Sequence, residues 1–528
     1  MANSISCSVS SSASAAVAIQ PLDGFISYSI EFASFPDFAG NISNPNDYSN
    51  NLLENLGSLA GIKPYIRVGG NTQDYAIYNP ELTIAINGTY NDTRSPDYPT
   101  TIEIGPAYFE SYSTWPHVRY SHGFNLGGNH DDRQWETLLE TTAIACKTLG
   151  KDKLYMWEYG NEPDLYATSS QGPVRPSNYN ESDYVAEWLN GTRAIKSVLE
   201  KKCPDLLRGD RYGYLGLSFG GTSNHLRAPR TWADGIDKDG DIKLLSSHNY
   251  ITGAETLGVT LQGTLMNHTR TAQSVDAHVA ENATINPDVP YILGETNSLY
   301  NQGRPGLSNA FGAALWGVDF AVYSASVGIG RVHFHMGTDY RYQSWQPIAT
   351  NKTSLGTKPP YYGNVASSAF IGSDSASIAA LALDGGDSET DVAYAAYVDG
   401  TLTRILVLNL RSYNYTLNGT GGADLNPDPR PTRTYRFADL GTVAGKAAQV
   451  YRLYANGSDA LSGISWDGWS YNYELDEGRP VRLANVTTGE TASVVDGVVQ
   501  VKVPDSQAVV LDFGARSKGC GRRRSVAN

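Results

Sequence analysis

Apolar and polar positions follow two regimes along this chain, and the change falls near residue 360. Between Pro21 and Pro360, short apolar runs are separated by segments with a 3.6-residue period, the signature of alternating strands and helices. The runs are Gly24–Phe32, Pro64–Gly70, Tyr120–Gly128, one starting at Leu154, Tyr214–Gly221, Ile242–Tyr250, Pro290–Asn297 and Arg331–Gly337. The clearest helices are Tyr48–Ala60, closed by Gly61, then Arg133–Leu149, Asp183–Cys203 and Ser308–Val327. In the second of these, Trp135, Leu138, Leu139, Thr142, Ala145, Cys146 and Leu149 are expected on one face. A long insertion rich in Tyr, Asn and Pro separates the second and third runs. Eight strands with intervening helices predict an α/β fold, a (β/α)8 TIM barrel over residues 21–360.

Beyond Pro360 the helical period disappears, and short alternating runs take over at Asp391–Arg411, Ala448–Ala455, Glu474–Ala484 and Ala492–Phe513. This pattern predicts an antiparallel β-sandwich of about seven to nine strands over residues 361–516. Residues 1–20 read as one or two strands donated to that sandwich, and residues 517–528, small and basic, as a disordered tail.

Composition narrows the function. The chain has 528 residues and a net charge of −14, which argues against nucleic acid and anionic membranes as partners. No segment has the apolar length of a membrane-spanning helix. Four cysteines without a CxxC spacing give no zinc or redox motif, so no metal or cofactor is expected. Cys146 and Cys203 lie near helix ends, placed either for a disulfide or as two buried thiols. Twelve N-x-[ST] sequons, at Asn41, Asn87, Asn91, Asn180, Asn190, Asn267, Asn282, Asn351, Asn414, Asn418, Asn456 and Asn485, point to an extracellular, secreted protein with N-linked glycans. No charged start followed by an apolar run is visible, and the chain is read as starting close to its mature end.

Two strand ends carry the candidate chemistry. The run LYMWEY breaks into Gly160-Asn161-Glu162-Pro163, since Pro lacks the ladder N–H and restricts the residue before it. The run from Tyr291 ends in Gly294-Glu295-Thr296-Asn297. If these are the fourth and seventh barrel strands, Glu162 and Glu295 project into one mouth, where barrel chemistry sits. A carboxylate pair there is what glycoside hydrolysis needs. His333 and His335 form an H-x-H pair on one strand face, better read as lining or supporting the cleft than as metal ligands.

The runs Arg67-Val-Gly-Gly-Asn71, Trp157-Glu-Tyr-Gly-Asn-Glu-Pro163 and Gly294-Glu-Thr-Asn-Ser298 resemble those of family 79 glycoside hydrolases, which include exo-β-glucuronidases and the endo-β-glucuronidase heparanase. The resemblance implies a retaining exo-β-glucuronidase that removes terminal β-D-glucuronic acid, with or without a 4-O-methyl group, from glycans. It implies Glu162 as general acid/base and Glu295 as nucleophile, Asn161 on the sugar 2-OH, and Tyr250 donating to Glu295. It also implies that the loop after the nucleophile, including Asn297, Ser298 and Tyr300, and Tyr340 after strand eight meet the C6 carboxylate. The competing readings are a heparanase-like endo-enzyme, a neutral-sugar glycosidase of the same clan, and a non-catalytic sugar-binding protein. The first should show clustered Lys and Arg at the cleft, where only Arg304 and Arg341 are seen, and the last has no need of both Glu residues.

Overall fold

The computed structural model describes residues 5–10, 20–128, 132–169, 172–208, 212–416, 426, 429–443 and 445–514. Eight parallel strands close into a barrel: Ile26–Glu31, Ile66–Gly69, Tyr120–Phe124, Leu154–Tyr159, Tyr214–Phe219, Ile242–Gly253, Tyr291–Tyr300 and Val332–Met336, in chain order around the ring. The strands are buried along nearly their whole length, as a parallel sheet covered by helices requires. Helices follow at Asp47–Ala60, Asp132–Lys153, Glu181–Lys202, His268–Ile285, Phe311–Ser326 and Pro359–Ile371. Cys146, within helix Asp132–Lys153, and Cys203, just after helix Glu181–Lys202, form a disulfide.

The C-terminal region is a nine-stranded sheet and a three-stranded sheet packed face to face. The smaller sheet is Ile5–Ser8, Thr432–Ala438 and Val499–Pro504, the first pair parallel and the second antiparallel. Its residues Cys7, Tyr435 and Val501 share one apolar core with Ile405, Val407 and Leu511 of the larger sheet.

Several sequence expectations are corrected. The helical pattern does not end at Pro360: Pro359–Ile371 is a helix, buried on almost every side against Phe311–Ser326, so it lacks the polar stripe by which a helix is recognised. Trp135 is 39 % exposed, because Gln134 takes the inward position and donates to the Asn125 side chain. The stretch expected as a strand at Glu474–Ala484 is a single helical turn, Tyr473–Asp476, followed by the two-residue strand Val481–Arg482. The sandwich is larger than seven to nine strands, since Ser377–Leu381 and Thr432–Ala438 were not foreseen. The insertion after strand two has its own three-stranded sheet, Ala76–Tyr78, Ile86–Thr89 and Thr101–Ile104. Residues 11–19 and the tail 517–528 lie outside the described residues.

Candidate active site

A cavity of about 1470 Å³ opens at the C-terminal ends of the barrel strands. Barrel register sets its floor. His335 pairs with Ser29 and Ser29 with Arg67, while His248 pairs with Glu295, so five strands deliver side chains at similar depth. Glu162 follows strand four in the left-handed region, φ 51° and ψ 48°, with its N–H donating to the Ser218 carbonyl. A non-glycine residue held there by its neighbours marks a constrained functional turn.

One oxygen each of Glu162 and Glu295 and one ring nitrogen of His248 lie within 4.8 Å of one another. The two carboxyls are pushed in opposite directions. Burial, and then the charge of Glu295, raises Glu162 to about 8. Burial also works against ionisation of Glu295, but His335, His248, the Arg67 guanidinium and the Tyr250 hydroxyl outweigh it and hold this carboxyl well below the usual range. Tyr250 donates to Glu295 Oε1 at 2.7 Å, and Arg67 to Oε2 at 2.6 Å.

Arg67 is fully buried and organises the floor. Its guanidinium also donates to both oxygens of Glu158, to Ser29 Oγ and, at 2.7 Å, to Asn161 Oδ1. Asp74 holds the Asn161 turn from the other side: it accepts from the Asn161 N–H at 3.0 Å and the Tyr166 hydroxyl at 2.7 Å, and burial raises it to about 7. His248 Nδ1 lies 2.8 Å from Glu162 Oε1, and burial lowers this imidazole to about 4, so it is neutral near pH 7. Glu31 accepts from Thr72 and from the Tyr340 hydroxyl at 3.1 Å.

The structure brings Glu162, Glu295, Asn161, Tyr250, Tyr300 and Tyr340 to the cavity wall. It does not bring Asn297 and Ser298 there. Asn297 spends its amide on the carbonyls of His335 and Tyr342, and its Oδ1 takes the Ser298 N–H, while the Ser298 hydroxyl donates to Ser308. The part of this loop that reaches the cavity lies further on, at Asn301 and Gln302, with φ 63° and 61°. Their N–H groups bond to no other described residue. His335 lines the cavity, with Nδ1 3.5 Å from Glu295, whereas His333 is buried behind it.

Sequence reasoning gave no role to Glu31, Glu158 or Asp74, and met Arg67 only within a longer motif. For two of these a signal existed: Arg67 and Glu158 each interrupt an otherwise apolar strand, and a charge buried in such a strand must be paired.

Residues 393–510 match the glycosyl hydrolase family 79 C-terminal beta domain. A β-glucuronidase of Neurospora crassa is 57 % identical over 488 residues, 88 % of this chain and 87 % of that one. A β-glucuronidase of Aspergillus niger is 51 % identical over 518 residues, 97 % and 94 % of the two chains. Among solved structures, a 4-O-α-L-rhamnosyl-β-D-glucuronidase from Fusarium oxysporum superposes with a TM-score of 0.76 at 23 % identity, covering 96 % of this chain and all of that one.

Proposed function

The chain belongs to glycosyl hydrolase family 79, and on that premise we propose that it is a retaining exo-β-glucuronidase releasing terminal β-D-glucuronic acid from glycans. The observation that carries the mechanism is the close approach of Glu162 and Glu295, within 4.8 Å. Retaining enzymes place their carboxyls about 5–5.5 Å apart, whereas inverting enzymes leave roughly 6.5–9.5 Å for a water.

In the first step Glu295, ionised, attacks the anomeric carbon as Glu162 gives its proton to the leaving oxygen, forming a glycosyl-enzyme ester and a free alcohol. In the second, Glu162, now a carboxylate, takes a proton from water, whose oxygen attacks the same carbon and releases Glu295. Burial suits Glu162 to the first task, and Arg67 with Tyr250 suits Glu295 to both. Asn161, held by Arg67 and Asp74, is oriented for the sugar 2-OH. The N–H groups of Asn301 and Gln302, which have no partner among the described residues, lie beside Tyr300 and Tyr340 and offer donors for the C6 carboxylate.

We read the protein as secreted and N-glycosylated, supported by exposed sequons at Asn41, Asn87, Asn91, Asn180, Asn190, Asn351, Asn456 and Asn485. Asn267 and Asn414 are buried and unsuited as acceptors, and Asn418 lies outside the described residues.

The test is hydrolysis of an aryl β-D-glucuronide beside the matching β-glucoside and β-xyloside, by the wild type and Glu295→Ala, with NMR of the first-formed anomer. Glucuronide-only turnover with β-anomer product, lost in the variant, is expected. Turnover of the neutral sugars instead would overturn the substrate, and an α-anomer would overturn the mechanism.

A further inference from the structure

The segment between strands two and three carries a crossing that the catalytic reading leaves unused. Barrel strands eight, one and two are neighbours, so residues 90–100, which leave the ring after strand two, must pass over the end of strand one to reach the loop after strand eight. They do reach it. Asp97, only 4 % exposed at its side chain, binds Arg341 at 2.8 Å and lies 3.6 Å from Lys352, while the Lys352 ammonium also donates to the Pro96 carbonyl. Tyr98, 2 % exposed, packs with Tyr340 and Tyr342, against which Tyr250 also lies. Further ties hold the strap in place: the Tyr75 hydroxyl donates to the Pro99 carbonyl at 2.7 Å, and Asn71 reaches the Tyr98 hydroxyl at 3.4 Å. Arg94 and Thr100 of the strap line the cavity.

The direction of the bound sugar follows from the chemistry. The leaving oxygen must lie at Glu162, after strand four, so the opposite end of the ring, with O4, points away from it. In an eight-membered ring of strands the position opposite four is eight, with one beside it. The O4 end therefore faces Tyr340, Tyr342 and the strap behind them.

We propose, building on the glucuronidase reading above, that this strap, latched by Asp97 to Arg341 and Lys352, is the specificity element that closes the non-reducing end of the site. It restricts cleavage to terminal uronic acid and refuses a uronate extended through O4 by another sugar. Asp97 is a positioning residue: it touches no substrate and acts by holding Tyr98 and the tyrosine wall in place. An Asp97→Ala change leaves two cations without their carboxylate and frees the strap to lift. Lys352, 46 % exposed at its side chain, can be removed with little burden on the fold.

The experiment compares p-nitrophenyl β-D-glucuronide with the same glycoside carrying a β-xylosyl unit on O4, reading nitrophenol release by the wild type, Asp97→Ala and Lys352→Ala, with thermal unfolding alongside. The wild type is expected to cleave the first and leave the second essentially untouched. Asp97→Ala is expected to keep kcat on the first within about tenfold, and to narrow the kcat/KM preference at least tenfold by gaining on the extended substrate. Lys352→Ala is expected to move the same way by a smaller factor. A preference unchanged in both variants overturns the proposal, as does a wild type that accepts the extended substrate equally well. If Asp97→Ala is unfolded, an unchanged preference in Lys352→Ala is enough to reject it. A wild type inactive on the simple glucuronide overturns instead the function on which the strap's role rests.

Discussion

Two arginines are fully buried in this barrel, one near each end, and they are held in opposite ways. Arg331, at the start of strand eight, donates to the Asp23 carbonyl and the Tyr155 hydroxyl, and sits over the rings of Tyr65 and Tyr155 at 4.0 and 5.0 Å. Its one carboxylate contact among the described residues, Asp23, is 64 % exposed. Arg67, at the mouth, has Glu158 and Glu295 as buried partners instead. Aromatic faces and carbonyls satisfy a guanidinium without creating a titrating partner. Buried carboxylates satisfy it too, but their protonation then depends on it. The closed end of the barrel is thus built for stability, and the mouth for separating the protonation states of two acids.

The largest break in that contrast is expected from Glu295→Gln, which keeps the shape of the mouth and removes the nucleophile. Turnover of an aryl glucuronide should fall by roughly 10⁴-fold or more, with the unfolding temperature little changed. Next is the pair Arg67→Met and Arg331→Met. The first strands Glu158 and Glu295 without their cation, and should cost about 3–5 kcal/mol of stability together with a fall in kcat of at least a hundredfold. The second should lower stability by denaturant melting and leave kcat within a few-fold. Equal kcat losses in both would erase the distinction.

The pH profile sharpens the same comparison. Glu162 must be protonated for the first step, so activity is present below its raised pKa and lost as pH rises through about 8. Glu295 stays ionised far into acid, so the acidic limb should lie below the ordinary carboxylate range. Changing His248 to Ala, which removes the ring bound to Glu162, should displace the alkaline limb of kcat/KM and leave the acidic limb nearly in place.

The smallest effect is expected far from both ends, where the barrel meets the sheet region. His268 Nδ1 lies 3.0 Å from both oxygens of Asp319, which also accepts from Tyr394 of strand Asp391–Val398. Burial lowers the imidazole, but the Asp319 charge prevails and its pKa is raised. The stabilisation is therefore full below the unfolded value near 6.5 and fades as pH climbs through the folded one. His268→Gln should flatten that part of the melting-temperature profile by a degree or two, without moving kcat.

Much of this was legible in one dimension. Local patterns announced the barrel strands, because a buried parallel strand must be apolar and its ends need turn residues: Leu154–Tyr159 breaks at Gly160 and Pro163 for backbone reasons alone. The same patterns placed Glu162 and Glu295 at strand ends, and the family resemblance implied Tyr250 beside Glu295, where its hydroxyl donates to Oε1. Helix Pro359–Ile371 escaped notice because burial on all sides leaves no polar face to reveal a period. Asn297 and Ser298, which the resemblance implies as carboxylate contacts, follow the nucleophile in sequence but not into the cavity. Asn297 instead spends its amide on the His335 and Tyr342 carbonyls and Ser298 its hydroxyl on Ser308, contacts that only the folded chain supplies, and the residues that arrive at the wall are Asn301 and Gln302.

By itself, then, the amino-acid sequence determined the order of elements and which acids end the fourth and seventh strands. Propensity, periodicity and chain-breaking residues act over a few neighbours and can be read locally. Only the tertiary structure decided which acid is protonated, that Arg67 joins residues 91 and 228 positions away, and that Asp97 latches across the mouth to Arg341. Those outcomes depend on burial and on distances between charges, and both exist only once the barrel has closed.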